Sequence, residues 1–162
     1  MTKFTESDFR NCMGCYTTGI TVVTMTDENN TPHGITINSF SSVSLSPPLV
    51  LFSLEKQANT YQYFLNTKSF AVNILAEDQK DISMNFAHPT TAKWDNIKHH
   101  SGNNNCPIIE DVLAYTECDI EQIYDGGDHS IIIGRVTDLK ILSDGRPLLY
   151  NRGKYTLLGK EV

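Results

Sequence analysis

The stretch Gly34-Ile35-Thr36-Ile37-Asn38-Ser39-Phe40-Ser41-Ser42-Val43-Ser44-Leu45-Ser46-Pro47-Pro48 constrains the fold more than any other part of this chain. Successive strand residues point to opposite faces, so a period of two assigns Ile35, Ile37, Val43 and Leu45 to an inward face and Thr36, Asn38, Ser42, Ser44 and Ser46 to the other, with Phe40 the exception. An ordinary strand carries apolar or charged residues at such positions, whereas this one offers hydroxyls and an amide that can donate and accept. That face suits an uncharged ligand rich in hydrogen-bonding groups. A Ser-rich strand facing solvent and ending at a Pro-Pro stop is the alternative.

The rest of the chain reads as many short strands separated by turn signals. Ile20 to Met25 is β-branched and is followed by the turn cluster Asp27-Glu28-Asn29-Asn30, so it forms a hairpin with the polar-faced strand. Leu49-Val50-Leu51-Phe52 is apolar on both faces and reads as a buried strand. Further strands are expected at Phe70 to Leu75, at Ala114 to Ile123 with Ala114, Cys118 and Ile120 inward and Glu117, Asp119 and Glu121 outward, and then at Ile131 to Val136, Leu139 to Leu142 and Tyr155 to Leu158. Short helices fall between them. One runs from Thr5 to Gly14, capped by Thr5 or Ser7 and covering one end of the sheet structure, one follows a cap at Asn59 or Thr60, and one spans Asp78 to Phe86. From His88 to Asn105 there is little periodicity, and Ser101 to Asn105 reads as a flexible loop. Repeats and linkers are lacking, so the 162 residues are expected to form one domain, a closed antiparallel barrel.

Composition excludes several functions. A formal charge of −6 argues against a nucleic-acid partner, which requires a basic face. The opening Met-Thr-Lys-Phe-Thr-Glu lacks an apolar core of signal-peptide length, and no apolar run approaches a bilayer span, so a cytoplasmic location without membrane insertion is expected. Cys12-Met13-Gly14-Cys15 has CxxC spacing, but Cys106 and Cys118 are not a second close pair, and a strand follows the motif instead of preceding it. His99-His100 has no carboxylate or cysteine at a useful helical spacing. No metal is expected. Trp94 reads as an anchor for the irregular segment, with stacking on an adenine as the alternative, and Tyr150 and Tyr155 flank a turn at Asn151-Arg152-Gly153-Lys154. Gly126-Gly127-Asp128-His129 lies between two strands, where glycine allows close backbone approach and an aspartate beside a histidine can set its tautomer.

Taken together, the sequence resembles the flavin reductase-like family, the small split barrels that supply reduced flavin to two-component monooxygenases. The resemblance is carried by Phe9-Arg10-Asn11-Cys12-Met13-Gly14, Thr18-Gly19-Ile20-Thr21-Val22-Val23-Thr24, Pro32 to Ser44 with Pro47-Pro48, Phe70 to Leu75, Gln79, Phe86-Ala87, Gly127-Asp128-His129, Gly134-Arg135-Val136, and Pro147 to Tyr150 with Arg152-Gly153 and Tyr155. It implies a mainly β fold, a six-stranded antiparallel Greek-key split barrel with short flanking helices, assembled as a homodimer. It also implies hydride transfer from NADH or NADPH to FMN or FAD and a flavin-dependent monooxygenase as partner. By position, Thr36, Asn38 and Ser39 match residues that hydrogen-bond the isoalloxazine, Ser42 and Ser44 lie toward the ribityl phosphate, and Lys56 to Thr60 matches a phosphate-side loop. Phe86-Ala87 matches a helix end near the flavin, Asp128 and Tyr155 fall near the cofactor, and His129 matches the residue at the nicotinamide face. The uncharged face of the polar strand agrees, since a flavin's pyrimidine edge and ribityl chain need both donors and acceptors. No nucleophile or general base is required, because the two cofactors carry the reactive atoms. An alternative is an FMN-binding electron carrier that passes electrons to a protein without a productive NAD(P)H site; the Gly127-Asp128-His129 motif favours the reductase.

Overall fold

β-Branched and aromatic residues dominate the segments that form strands. A computed structural model describes residues 3–88 and 94–160; residues 1, 2, 89–93, 161 and 162 lie outside it, and with them part of the irregular segment between His88 and Asn105. The strands in chain order are β1 (Thr18–Gly19), β2 (Thr21–Thr26), β3 (Pro32–Ile37), β4 (Ser41–Leu45), β5 (Pro48–Glu55), β6 (Ser69–Ile74), β7 (His99–Ser101), β8 (Pro107–Ile109), β9 (Ala114–Gly126), β10 (His129–Ile141), β11 (Leu148–Asn151) and β12 (Lys154–Leu157). Three helices, α1 (Glu6–Met13), α2 (Tyr61–Asn66) and α3 (Lys80–Ala87), interrupt them.

Seven strands form one antiparallel sheet in the order β3-β2-β6-β9-β10-β5-β4. Ser39, just after β3, closes it: its hydroxyl donates to the Ser53 carbonyl and accepts the Ser53 N–H, both at 3.0 Å, so one edge of the sheet meets β5 near the other. The result is the expected mainly β split barrel, with Greek-key crossings. A three-stranded sheet, β1-β11-β12, and the β7-β8 hairpin pack outside it.

β2 is buried along nearly its whole length because it separates two cores. Val23 and Met25 join Phe52, Phe64, Phe70 and Ile132 inside the barrel, where Phe52 meets Phe64 and Phe70 edge-on at 5.9 and 5.2 Å. Val22 faces a second cluster with Leu75, Phe86, Ile109 and Leu148. Each such side chain contributes roughly 1.5–3 kcal/mol by leaving water. Asn73 is buried here with both ends of its amide partnered: Nδ2 donates to the Val22 carbonyl at 3.1 Å and Oδ1 accepts the Ile109 N–H at 2.9 Å.

Local signals place most elements where the sequence put them. Thr5 caps α1 through a reciprocal box with Asp8. Asp27 closes the β2–β3 turn by accepting the N–H groups of Asn29 and Thr31 at 2.9 Å each. Several expectations are corrected. The polar stretch is two strands, because the chain breaks phase between Ile37 and Ser41 and sends β3 and β4 to opposite edges of the sheet. Val43 and Leu45 do not point inward: β4 is an edge strand bulged at Val43, and Leu45 is 96% exposed. Glu117 is not outward but 1% exposed, since Gly102 and Asn104 fold over it and the Asn104 N–H donates to its Oε1 at 2.8 Å. α1 buries none of its residues, so Phe9 and Met13 stay half-exposed instead of covering a barrel end. The Ser101–Asn105 segment is a hydrogen-bonded turn in the β7–β8 hairpin, and the two strands expected between Ile131 and Leu142 are the single β10.

Candidate functional site

The polar stretch divides by what its side chains already hold. Thr36 Oγ donates to the Ser83 carbonyl on α3 at 2.6 Å, and Ser39 is engaged with Ser53. The Asn38 amide and the Ser42 and Ser44 hydroxyls make no internal hydrogen bond among the described residues; Asn38 and Ser42 are exposed and Ser44 is partly buried. These residues do not share one face. The Val43 bulge pairs Ser42 with Val50 and Ser44 with Leu49, adjacent residues that point to opposite sides of β5.

β5 is the element along which the site residues align. Ser44 and Ser42 lie opposite its start, Ser39 binds Ser53 in its middle, and Glu55 at its end pairs with His129 of β10. Ser53 and Glu55 are two residues apart, about 7 Å along the strand. Beyond Glu55 the chain turns under a cleft of about 260 Å³, walled by Ile35, Ala58, Phe86 and Ala87 and floored by Thr60. Thr60 is only 6% exposed, and its hydroxyl has no partner. Buried polar atoms are rarely left so.

The β9–β10 turn approaches from the other side. Gly127 adopts φ +80°, as the first central residue of a II′ turn demands. His129 Nδ1 lies 2.7 Å from Asp128 Oδ1, and this hydrogen bond is the chief reason the Asp128 carboxyl is held below its usual range. A carboxylate can only accept, so Nδ1 carries the proton, and Nε2 makes no hydrogen bond among the described residues. His129, Asp128 and Glu55 line a groove of about 710 Å³ with Phe4, Phe9 and Arg10 of the α1 region. Lys56 is turned onto the same hairpin: its ammonium bonds Asp125 and donates to the Gly127 carbonyl at 2.6 Å, while its N–H donates to the Asp128 carbonyl at 3.0 Å. The Asp125 contact is also what raises its pKa.

Tyr155 reaches the site indirectly. Its hydroxyl lies 2.9 Å from Ser83 Oγ, and its ring packs edge-on against Tyr150 at 5.6 Å. Ser83 was not legible as a site residue, although its spacing of three from Phe86 puts both on one face of α3. Trp94 packs against Phe86 at 4.9 Å, as an anchor would. Cys12 and Cys15 are exposed thiols, and burial pushes Cys106 and Cys118 up to about 11 and about 12. Among the described residues no three His, Cys, Asp or Glu side chains converge as metal ligands, and no helix is long and apolar enough to cross a membrane.

A closed antiparallel sheet with a cleft at its split, walled by Ile35, Phe86 and Ala87 and edged by Glu55, Gln57, Asn59 and His88, defines a small β-barrel. Residues 13–159 match the flavin reductase like domain, and the chain belongs to the flavin reductase-like family. It is 43% identical, over 98% of its length, to a Rhizobium meliloti (strain 1021) protein named "Probable flavin reductase", and spans 52% of that protein, about half. The reductase subunit HsaB of a flavin-dependent monooxygenase from Mycobacterium tuberculosis (strain ATCC 25618 / H37Rv) is 40% identical over 91% of this chain and 80% of its own length. The NADH:FAD oxidoreductase SgcE6 of Streptomyces globisporus C-1027, solved with NAD and FAD fragments, superposes with a TM-score of 0.90 at 34% identity, covering 94% of this chain and 92% of that one.

Proposed function

We propose that the chain is an NAD(P)H:flavin oxidoreductase that reduces FMN or FAD with NADH or NADPH and supplies the reduced flavin to a partner monooxygenase. The observation that carries this reading is the cleft itself: apolar walls at Ile35, Phe86 and Ala87 beside a buried Thr60 hydroxyl that lacks a partner. A flavin fits that pattern, offering two ring faces to the walls and polar edges to the rim. When bound, the flavin supplies the hydride acceptor and the nicotinamide the donor. The chain has to bind, orient and exclude water. Asn38, with donor and acceptor both unengaged, serves the pyrimidine edge, and Ser42 or Ser44 serves the ribityl chain and phosphate. His129 offers Nε2 to the nicotinamide carboxamide while Asp128 fixes its tautomer. Lys56 acts mainly by holding the hairpin that carries His129.

The relatives' names support the monooxygenase partner, HsaB being a reductase subunit of such an enzyme. The functional unit in this reading is one domain over residues 1–162, located in the cytoplasm and paired as a homodimer. What supports the dimer is uncovered apolar surface on two separate elements, Phe9 and Met13 on α1 and Val43 and Leu45 on β4.

The test is flavin titration of the purified protein followed by anaerobic bleaching with NADH and NADPH. Asn38→Leu should weaken flavin binding by about 1–3 kcal/mol, since the flavin's polar edge is left unpaired. Unchanged affinity in the folded variant refutes the assignment of Asn38. A flavin that binds but is bleached by neither nucleotide overturns the reductase reading in favour of an electron carrier.

A further inference from the structure

We propose that Tyr155 acts on the flavin site without touching the cofactor: through Ser83 it positions α3, and α3 places Phe86 and Ala87. For its effect on flavin this rests on the proposed function; the clamp itself does not. Ser83 is completely buried, one turn before Phe86, and α3 is gripped there from two sides. From the barrel, Thr36 Oγ donates to the Ser83 carbonyl at 2.6 Å. From the outer three-stranded sheet, the Tyr155 hydroxyl meets Ser83 Oγ at 2.9 Å.

The two anchors are themselves fixed. Lys80 Nζ sits 5.5 Å above the Tyr155 ring, and Tyr150 packs against the edge of that ring. On the barrel side, Phe86 lies directly on the backbone of Gly34, where a Cβ would come within 2.8 Å of Phe86 Cε1. The end of α3 is therefore located by Ser83 and by Phe86 against β3. Loosening either contact shifts the apolar wall of the cleft. The Tyr155 hydroxyl is already paired with a buried hydroxyl that has no solvent to turn to, so swinging it away toward a ligand would cost the Ser83 contact. A position matched to cofactor contact is here a support one layer behind it.

Tyr155→Phe, Ser83→Ala and the double variant test this. Tyr155→Phe keeps the ring beneath Lys80 and beside Tyr150 and removes only the hydroxyl. Two quantities are read in each: flavin affinity by fluorescence titration, and hydrogen exchange of the α3 amides in flavin-free protein, with β6 and β9 as internal controls. Each single variant should weaken flavin binding about two- to tenfold, the range for one neutral hydrogen bond, and speed exchange in α3 while leaving β6 and β9 unchanged. The double variant should lose no more than the worse single one, because both remove one shared contact. Weakened binding in Tyr155→Phe with none in Ser83→Ala would make Tyr155 a direct ligand and overturn the proposal, as would additive losses. Unchanged α3 exchange in both singles would show that no clamp exists. If the wild-type protein binds no flavin, the proposed function fails, and the exchange measurement still decides the clamp.

Discussion

Ser39→Ala separates a structural hydroxyl from a ligand-binding one at the position where the sheet closes. Ser39 both donates to and accepts from the backbone of Ser53 at 3.0 Å. The substitution removes both bonds and leaves one N–H and one carbonyl of β5 without a protein partner. A neutral hydrogen bond contributes a net 0.5–1.5 kcal/mol or so, which gives about 1–3 kcal/mol for the pair. Ser39 is exposed, and water can satisfy part of what is lost, so the lower end applies, about 1–1.5 kcal/mol. With a urea dependence of about 2 kcal/mol per molar, the unfolding midpoint should fall by roughly 0.5–0.7 M. Protein concentration must be held fixed, because any subunit association adds to the apparent stability. Flavin affinity, measured under native conditions, should change less than about twofold, since the hydroxyl's single donor is taken by Ser53. An unchanged midpoint with a large loss of flavin binding would refute the seam and return Ser39 to the cofactor.

Three further outcomes follow from the same structure. His129→Ala should raise the apparent KM for NADH or NADPH or slow flavin reduction, with flavin affinity nearly unchanged; stopped-flow bleaching at matched flavin occupancy checks it, and unaltered reduction makes His129 a turn residue only. At pH 8 a thiol-specific reagent should modify the exposed Cys12 and Cys15 in native protein and reach Cys106 and Cys118 only on unfolding. The buried thiols also set an alkaline slope. Their pKa values are raised from 9.0 to about 11 and about 12 in the folded state, so the unfolded chain releases those protons first and stability is lost as pH rises above about 9. The slope is at most about 1.4 kcal/mol per pH unit per thiol. Urea midpoints at pH 8 and pH 10 measure it, and a flat profile would contradict the burial of these thiols.

The parts of the fold legible in the sequence are those fixed by short-range chemistry. Thr5 and Asp8 are three residues apart and cap each other, and Asp27 closes its own turn. The parts that were not legible depend on partners far along the chain. The break between β3 and β4 leaves almost no trace, because hydroxyl residues alternate smoothly across it; Phe40 alone signalled it, an aromatic at a polar-phase position that packs against the barrel core. A carboxylate on a strand defaults outward, and only the loop at Gly102 to Asn104 makes Glu117 an inward residue. Among the candidate site residues, Thr36, Phe86, Asp128 and His129 were assigned by resemblance alone, whereas the engagement of Lys56 with Asp125 and of Tyr155 with Ser83 required the register of three separate hairpins.

The division of hydroxyls also bears on how firmly a flavin could be held. Asn38 and Ser42 are exposed, so in the ligand-free protein water satisfies them. Exchanging a water for a flavin edge gains only the net value of a hydrogen bond, about 1 kcal/mol apiece. Thr60 differs, because its hydroxyl is buried without a partner, and a ligand gains the corresponding penalty of about 1–3 kcal/mol only where the floor of the cleft shifts to let it reach that oxygen. The remainder has to come from the ring against Ile35, Phe86 and Ala87, at about 25 cal/mol per Å² of apolar surface removed from water. Those walls sit in a cleft of about 260 Å³, and two of them hang on α3, which the Ser83 contacts hold in place. Binding is therefore governed by where α3 ends more than by how many polar groups line the rim. A site of that kind grips the oxidised and reduced ring through the same apolar contacts, and under the reductase reading it leaves release of the product to differences at the polar edge. Substitutions on the rim should consequently change which redox form is preferred, and substitutions at Ser83 or Phe86 should weaken both forms together.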